Sequence, residues 1–230
     1  MKKITIVDNG DECYLCKNCL KEWVSAILVH KKMFKVKKGE LIFKEGDPVN
    51  GIFFIESGMV KVHKRWGADK ELILRFANEH AILGHRALGG DGIYSISATA
   101  IQPSIVSYVS VDFFEATLKV NTAFAYKLLE FIASELRVSE RKMRNLAHMP
   151  VKGRVADALI SLKNQFGETV QGFINVDLSR QDLASFSGAT YETVFRVINE
   201  LIQEGLLKLS GKSIGIANYE QLYKLTRDIT

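Results

Sequence analysis

The chain has 230 residues, of which 47% are apolar and 25% charged, with three prolines and a mean hydropathy of +0.03. That balance excludes the disordered and fibrous classes, and the length suits one large domain or two small ones, either able to bury a sizeable core. The net charge of +5 allows an anionic partner, but nine basic residues face nine acidic ones from Pro150 onward. A nucleic-acid reading must therefore rest on a motif rather than on bulk charge.

The start Met1-Lys2-Lys3-Ile4 imitates a secretion signal, yet Asp8, Asp11 and Glu12 interrupt it before an apolar stretch can form. No apolar run reaches the roughly 18 residues of a membrane span. A cytoplasmic protein without a membrane partner is expected. Cys13, Cys16 and Cys19 are odd in number and bunched in one short segment, which argues against a disulfide framework and for a reducing compartment. Residues 1–33 are expected to form a cysteine-containing helical segment.

From Phe34 to Val111 short apolar segments alternate with glycine: Ile52-Phe53-Phe54-Ile55, Met59-Val60-Lys61-Val62, Leu72-Ile73-Leu74 and Ile105-Val106-Ser107-Tyr108-Val109. Many short strands separated by turns predict a sandwich or barrel over 34–111, with Gly46-Asp47-Pro48 as a tight turn. Helical periodicity begins at Asp112. Between Asn121 and Met149 a stretch free of glycine and proline carries Leu128, Ile132, Leu136, Ser139, Met143 and Leu146 at steps of three and four. That spacing predicts a long helix pairing with its copy in a second chain, through Leu128, Ile132, Leu136, Met143 and Leu146. Packing on its own barrel is the plainer reading of the same stripe. Pro150 ends the helix and marks a boundary between residues 112–149 and a C-terminal domain over 150–230.

The C-terminal domain opens with a helix near Val151 to Phe166. Two helix starts then follow closely: Ser179 with Asp182 resembles a capping box, Gly188 suits the turn, and Thr190 can cap the second helix. This predicts a helix-turn-helix. On the second helix Val194, Val197, Ile198 and Leu201 form an inward stripe, leaving Tyr191, Glu192, Phe195, Arg196 and Asn199 outward, the face a recognition helix lays in a major groove. Arg196 suits a guanine edge, Glu192 a cytosine amino group, and Tyr191 or Phe195 a thymine methyl. Ser179, Arg180 and Gln181 are placed to hold backbone phosphate. Beyond Gly205, Leu206 to Ile216 reads as a hairpin with Lys212 near its tip, which makes the domain a winged helix.

An enzyme finds no support. Gly211-Lys212-Ser213 lacks the earlier glycine of a phosphate loop, since Leu206 stands in its place, and His63, His80 and His85 lack metal-site spacing. A regulatory module whose helix-turn-helix contacts protein instead of DNA remains open.

From Phe34 to Tyr219 the chain resembles the Crp/Fnr family of bacterial transcription regulators. The marks are Lys38-Gly39-Glu40-Leu41-Ile42-Phe43, Glu45-Gly46-Asp47, Ile55 to Val62 around Gly58, Ile82-Leu83-Gly84, Asn145-Leu146-Ala147, Lys152-Gly153-Arg154-Val155-Ala156, and Glu192-Thr193-Val194 with Arg196. The resemblance implies an α+β chain: an N-terminal β-roll like a cyclic-nucleotide-binding barrel, a long dimerisation helix and a C-terminal winged helix-turn-helix. It also implies a homodimer on palindromic promoter DNA, with RNA polymerase as a further partner. From the resemblance the recognition-helix residues carry over as Glu192 and Arg196; together with the reading of the helix-turn-helix and hairpin, the expected DNA contacts are Ser179, Arg180, Gln181, Thr190, Tyr191, Glu192, Thr193, Phe195, Arg196 and Lys212.

The same resemblance places an effector pocket at Gly84, His85, Arg86, Ser97 and Ser139. Where the cyclic-AMP branch has a ribose-binding glutamate this chain has His85, and Ile96 stands where a phosphate arginine is expected, so cyclic AMP is not the expected effector. The cysteines lie where the oxygen-sensing branch binds an iron-sulfur cluster, but no cysteine follows Cys19. A cluster or zinc at Cys13, Cys16 and Cys19 would need another ligand, such as Asp8, Asp11, His30 or water. Thiol oxidation would need none, and Lys17 and Lys21 would favour it. An inert cysteine segment is the third reading of these residues, and a different anionic or apolar effector in the pocket of the roll is a separate one.

Overall fold

A computed structural model describes residues 1–4, 13–67 and 70–227. Asp8 and Asp11, two of the suggested metal ligands, lie outside the described residues. The chain divides into two compact units, one of residues 1–64 and 74–137, the other of residues 65–73 and 138–230. The division falls within the long helix, whereas the sequence reading sets it at Pro150. A helix without a break gives the sequence no mark of where its packing partners change.

The first unit, without residues 65–73 at the end of β5 and the start of β6, is built from strands β1 (Lys2–Ile4), β2 (Lys32–Val36), β3 (Leu41–Phe43), β4 (Gly51–Ser57), β5 (Val60–Trp66), β6 (Lys70–Ala77), β7 (Ile82–Leu83), β8 (Ser97–Ala100) and β9 (Ser104–Ser110). They form two sheets, ordered β1-β2-β9-β4-β7 and β3-β8-β5-β6. Helices α1 (Tyr14–Asn18) and α2 (Val24–His30) precede β2, and α3 (Val111–Val120) and the start of α4 (Thr122–His148) follow β9. Two expectations are corrected here. The roll begins at Lys32 rather than Phe34, and the segment before it is not purely helical, because Lys2–Ile4 pairs antiparallel with Met33–Lys35 as an edge strand.

The unbroken apolar run of β4 has a simple cause. Its alternate side chains serve two cores: Phe53 and Ile55 face the inside of the roll with Val36, Val62, Leu83 and Val106. Ile52 and Phe54 face α1, α3 and α4 with Leu15, Phe114, Phe124 and Leu128. A strand covered on both faces loses the polar alternation that one solvated face imposes. Inside the roll Tyr94 is 2% exposed, stacks on Phe43 with ring centroids 4.2 Å apart, and donates its hydroxyl to the Gly51 carbonyl at 2.7 Å.

The second unit contains the end of α4, then α5 (Val151–Phe166), α6 (Arg180–Ser187), α7 (Tyr191–Gln203), the hairpin β10 (Leu207–Ser210) and β11 (Ser213–Ile216), and α8 (Tyr219–Lys224). Pro150 is the N-cap of α5, where a missing amide hydrogen is harmless. The wing pairs Leu207 with Ile216 and Ser210 with Ser213, and Gly211 takes φ 57° in its turn.

Candidate nucleic-acid interface and sensor site

The helix-turn-helix is held by caps of the expected kind. Ser179 Oγ accepts the Asp182 amide at 2.9 Å and donates to its carboxylate at 2.6 Å. Thr190 Oγ1 accepts the Thr193 amide at 3.3 Å, and the two threonine hydroxyls are 3.0 Å apart. Between the helices Gly188 sits in the left-handed region at φ 64°, ψ 42°. A Cβ there would also collide with the Leu146 side chain, so both conformation and space require glycine.

A positioning residue escaped the sequence reading. Arg154 on α5 donates to the carbonyls of Ser187 at 3.0 Å, Gly188 at 3.1 Å and Met149 at 3.0 Å. It satisfies carbonyls that helix ends leave without partners, and it ties the turn to α5. Its place in the Lys152-Gly153-Arg154 motif was the available signal.

On α7 Val194, Val197, Ile198 and Leu201 are buried, while Tyr191, Glu192, Phe195, Arg196 and Asn199 are exposed. Tyr191 and Phe195 stack with centroids 6.3 Å apart. Arg196 approaches Glu200 at 3.8 Å, an exposed pair too weak to hold the guanidinium against a better acceptor. Ser179, Gln181 and Lys212 are exposed; Arg180 is half-buried, and burial lowers its pKa.

The residues expected to line an effector pocket are largely engaged by the chain itself. Gly84 takes φ 85° before a single 3-10 turn that carries His85 and Arg86. Ser97 Oγ accepts the Glu45 amide at 2.9 Å, and Ser139 lies on α4 in the second unit. His85 is 3% exposed, and its Nε2 meets Glu135 Oε2 at 2.9 Å. Arg86 Nη2 lies 3.2 Å from the same oxygen, and Arg75 Nε lies 2.7 Å from Oε1. Burial raises the pKa of Glu135, but the His85 hydrogen bond and the charges of Arg75 and Arg86 outweigh it and hold the carboxyl at about 2. Glu135 was not singled out in the sequence.

The long helix corrects the expected seam. Leu128 is buried against Phe54, Phe114 and Phe124, and Leu146 packs beside Gly188. The stripe left exposed is Leu129, Ile132, Leu136 and Met143, which keeps heptad spacing one residue out of phase with Leu128.

The cysteines are all thiols; Cys13 and Cys16 are buried, Cys19 partly exposed. Cys13 caps α1, and its sulfur accepts the Cys16 amide at 3.4 Å. The Cys16 side-chain hydrogen bond, helped by that amide and by Lys31, lowers the Cys13 pKa to about 7 despite burial. Burial and the neighbouring Cys13 charge push Cys19 up to about 12. His30 is stacked on Phe113 at 4.2 Å. Among the described residues no group of three or more His, Cys, Asp or Glu is arranged to hold a metal ion.

Fold and site together define a two-domain regulator: a β-roll, a long helix, and a winged helix whose outward face suits DNA. A family model described as a cyclic nucleotide-binding domain matches residues 33–121, and one described as a Crp-like helix-turn-helix domain matches residues 153–225. The "Anaerobic regulatory protein" of Bacillus subtilis is 30% identical over 205 residues, 87% of this chain and 85% of its own. A "CRP-like cAMP-activated global transcriptional regulator" of Mycobacterium tuberculosis is 28% identical over 192 residues, 83% of this chain and 86% of its own. The structure of FixK2 from Bradyrhizobium japonicum superposes with a TM-score of 0.77 at 26% identity, covering 87% of this chain and 99% of that one. The chain belongs to the Crp/Fnr family of transcriptional regulators. Ile96 is buried in the core, and Arg75 and Arg86 are both bound to Glu135.

Proposed function

We propose that this regulator is a homodimer that reads a palindromic promoter site through α7 and answers to a signal other than cyclic AMP. The observation that carries the reading is the outward face of α7, where the stacked Tyr191 and Phe195 stand beside Glu192 and Arg196 over a fully buried stripe. Two exposed aromatics on a soluble helix have no core-packing role there. Contact with thymine methyls, with Arg196 on a guanine and Glu192 on a cytosine, gives all four side chains a partner. The exposed heptad of Leu129, Ile132, Leu136 and Met143 supports pairing of two α4 helices. In a dimer the two α7 helices would address half-sites on the order of 34 Å apart. RNA polymerase is the partner through which such a protein would act on transcription.

For the signal, the internal pairing of His85 and Arg86 with Glu135 supports an effector other than a nucleotide, and the perturbed thiols direct attention to the N-terminal segment. Binding to selected DNA, measured by fluorescence anisotropy, tests the reading. Affinity should fall with salt by about 0.9 log unit per log unit of salt for each phosphate neutralised. Arg196→Ala should cost about 1–3 kcal/mol at one base position and relax specificity there. A flat salt response would refute DNA recognition and favour a protein partner.

A further inference from the structure

A cation on the long helix joins the parts of the second unit that carry the helix-turn-helix. Lys142 of α4 donates from Nζ to the Ile73 carbonyl of β6 at 2.7 Å, and the same ammonium lies 4.0 Å from the centroid of the Phe186 ring on α6. Ile73 is fully buried, and residues 65–73 belong to the same compact unit as α5, α6 and α7. Leu72, next to the accepting carbonyl, lies with Leu146 beside the Gly188 turn. Asp157 of α5 adds its charge to the site and is itself held by Asn145 Nδ2 at 3.3 Å.

Burial lowers the Lys142 pKa to about 8 against the opposing pull of Asp157. An ammonium whose pKa is lower in the folded chain than in water is held at a cost to folding, and an apolar side chain of similar length would fill the space without that cost. Geometry accounts for the lysine instead. Its three N–H groups let one atom bind a strand carbonyl while its charge rests on an aromatic face, which no apolar side chain does. We infer that Lys142 is a positioning residue for DNA recognition, holding α6, and through the Gly188 turn the helix α7, in place on α4 and β6. This rests on the reading above that the winged helix recognises DNA.

The place of the tether explains why it acts on recognition. Ser179, Arg180 and Gln181, the residues expected on backbone phosphate, stand at the start of α6, and Phe186 lies in its last turn. With eight residues, α6 is short enough that a hold on one end fixes its direction. Phosphate contacts set the register in which the base-reading side chains meet the duplex. A loosened last turn therefore misplaces both the phosphate contacts and the first turn of α7, while the core of the unit stays closed. Lys142 turns its ammonium to Ile73 and Phe186, so it acts through α6 and makes no phosphate contact of its own.

Full-length wild type, Lys142→Met, Lys142→Arg and Phe186→Leu are compared on one duplex selected with the wild type. Lys142→Met should bind about tenfold more weakly, with urea stability equal to the wild type or higher and an unchanged salt slope, because no phosphate contact is lost. Lys142→Arg should recover most of the affinity, since it keeps a charged donor over the ring. Phe186→Leu should weaken the wild type and add nothing to Lys142→Met, because the two side chains act as one unit. Unchanged affinity in Lys142→Met, or affinity and stability falling together, overturns the assignment. A salt slope smaller by about 1 also overturns it, by making Lys142 a phosphate contact. Hydrogen exchange without DNA tests the tether itself: Lys142→Met should speed exchange of the amides of residues 183–189 about threefold or more, and unchanged exchange overturns it. Salt-independent binding by the wild type would sink the regulator reading alone, so the two failures are told apart.

Discussion

Replacing Glu135 with glutamine keeps the side-chain volume and removes the one negative charge that Arg75, His85 and Arg86 share. Holding a carboxyl at about 2 instead of near its ordinary value of about 4.3 is worth on the order of 3 kcal/mol. That agrees with the roughly 3–5 kcal/mol lost when one member of a buried ion pair is removed. The folded-state pKa is depressed, so the stabilisation is full above the ordinary carboxylate range and is lost as pH falls towards 2. Glu135→Gln should therefore destabilise the first unit by about 3 kcal/mol at pH 7, and by progressively less below about pH 4. Urea titration followed through Trp23, which stacks on Phe113 in the same unit, reads this directly. Trp66 is 82% exposed and contributes little change. A loss under about 1 kcal/mol at pH 7, or a loss that does not shrink with acid, would refute the claim that the carboxylate holds the cluster together.

The remaining predictions concern the second unit and the helix seam. Arg154→Met should cost about 2–3 kcal/mol in urea denaturation of the winged helix, because three carbonyls around the turn lose a charged donor. Lysine should restore only part of the loss, since one ammonium cannot span a guanidinium's bonds; full rescue by lysine would show that charge alone matters. Leu136→Glu puts a carboxylate into the exposed heptad and should halve the mass seen by light scattering. A variant that keeps the wild-type mass would move the pairing surface elsewhere.

The parts of this protein that are legible in its sequence are those specified by local chemistry. The caps at Ser179 and Thr190, the glycine at 188 and the buried stripe of α7 follow from residues within one turn of each other, so a linear reading recovers the recognition helix and its outward face. Long, uninterrupted periodicity likewise marks α4. Its rotation about its own axis is not written in the same way. Leu128 and Leu129 are equally apolar and adjacent, and only contact with Phe54, Phe114 and Phe124 decides that the first turns inward and the second stays exposed.

Tertiary structure also decided everything that depends on charges far apart in sequence. His85 and Glu135 are 50 residues apart yet 2.9 Å apart in space, and Arg154 reaches carbonyls more than 30 residues away. Periodicity reports which face of an element is apolar, because burial of apolar area acts on every residue of that face. It carries no record of which ion meets which, because a single close pair is fixed by how the elements pack. The sequence by itself determined a roll, a long helix and a winged helix with the outward face of its second helix; the packing decided that the turn carrying His85 and Arg86 is bound to the chain's own carboxylate, Glu135.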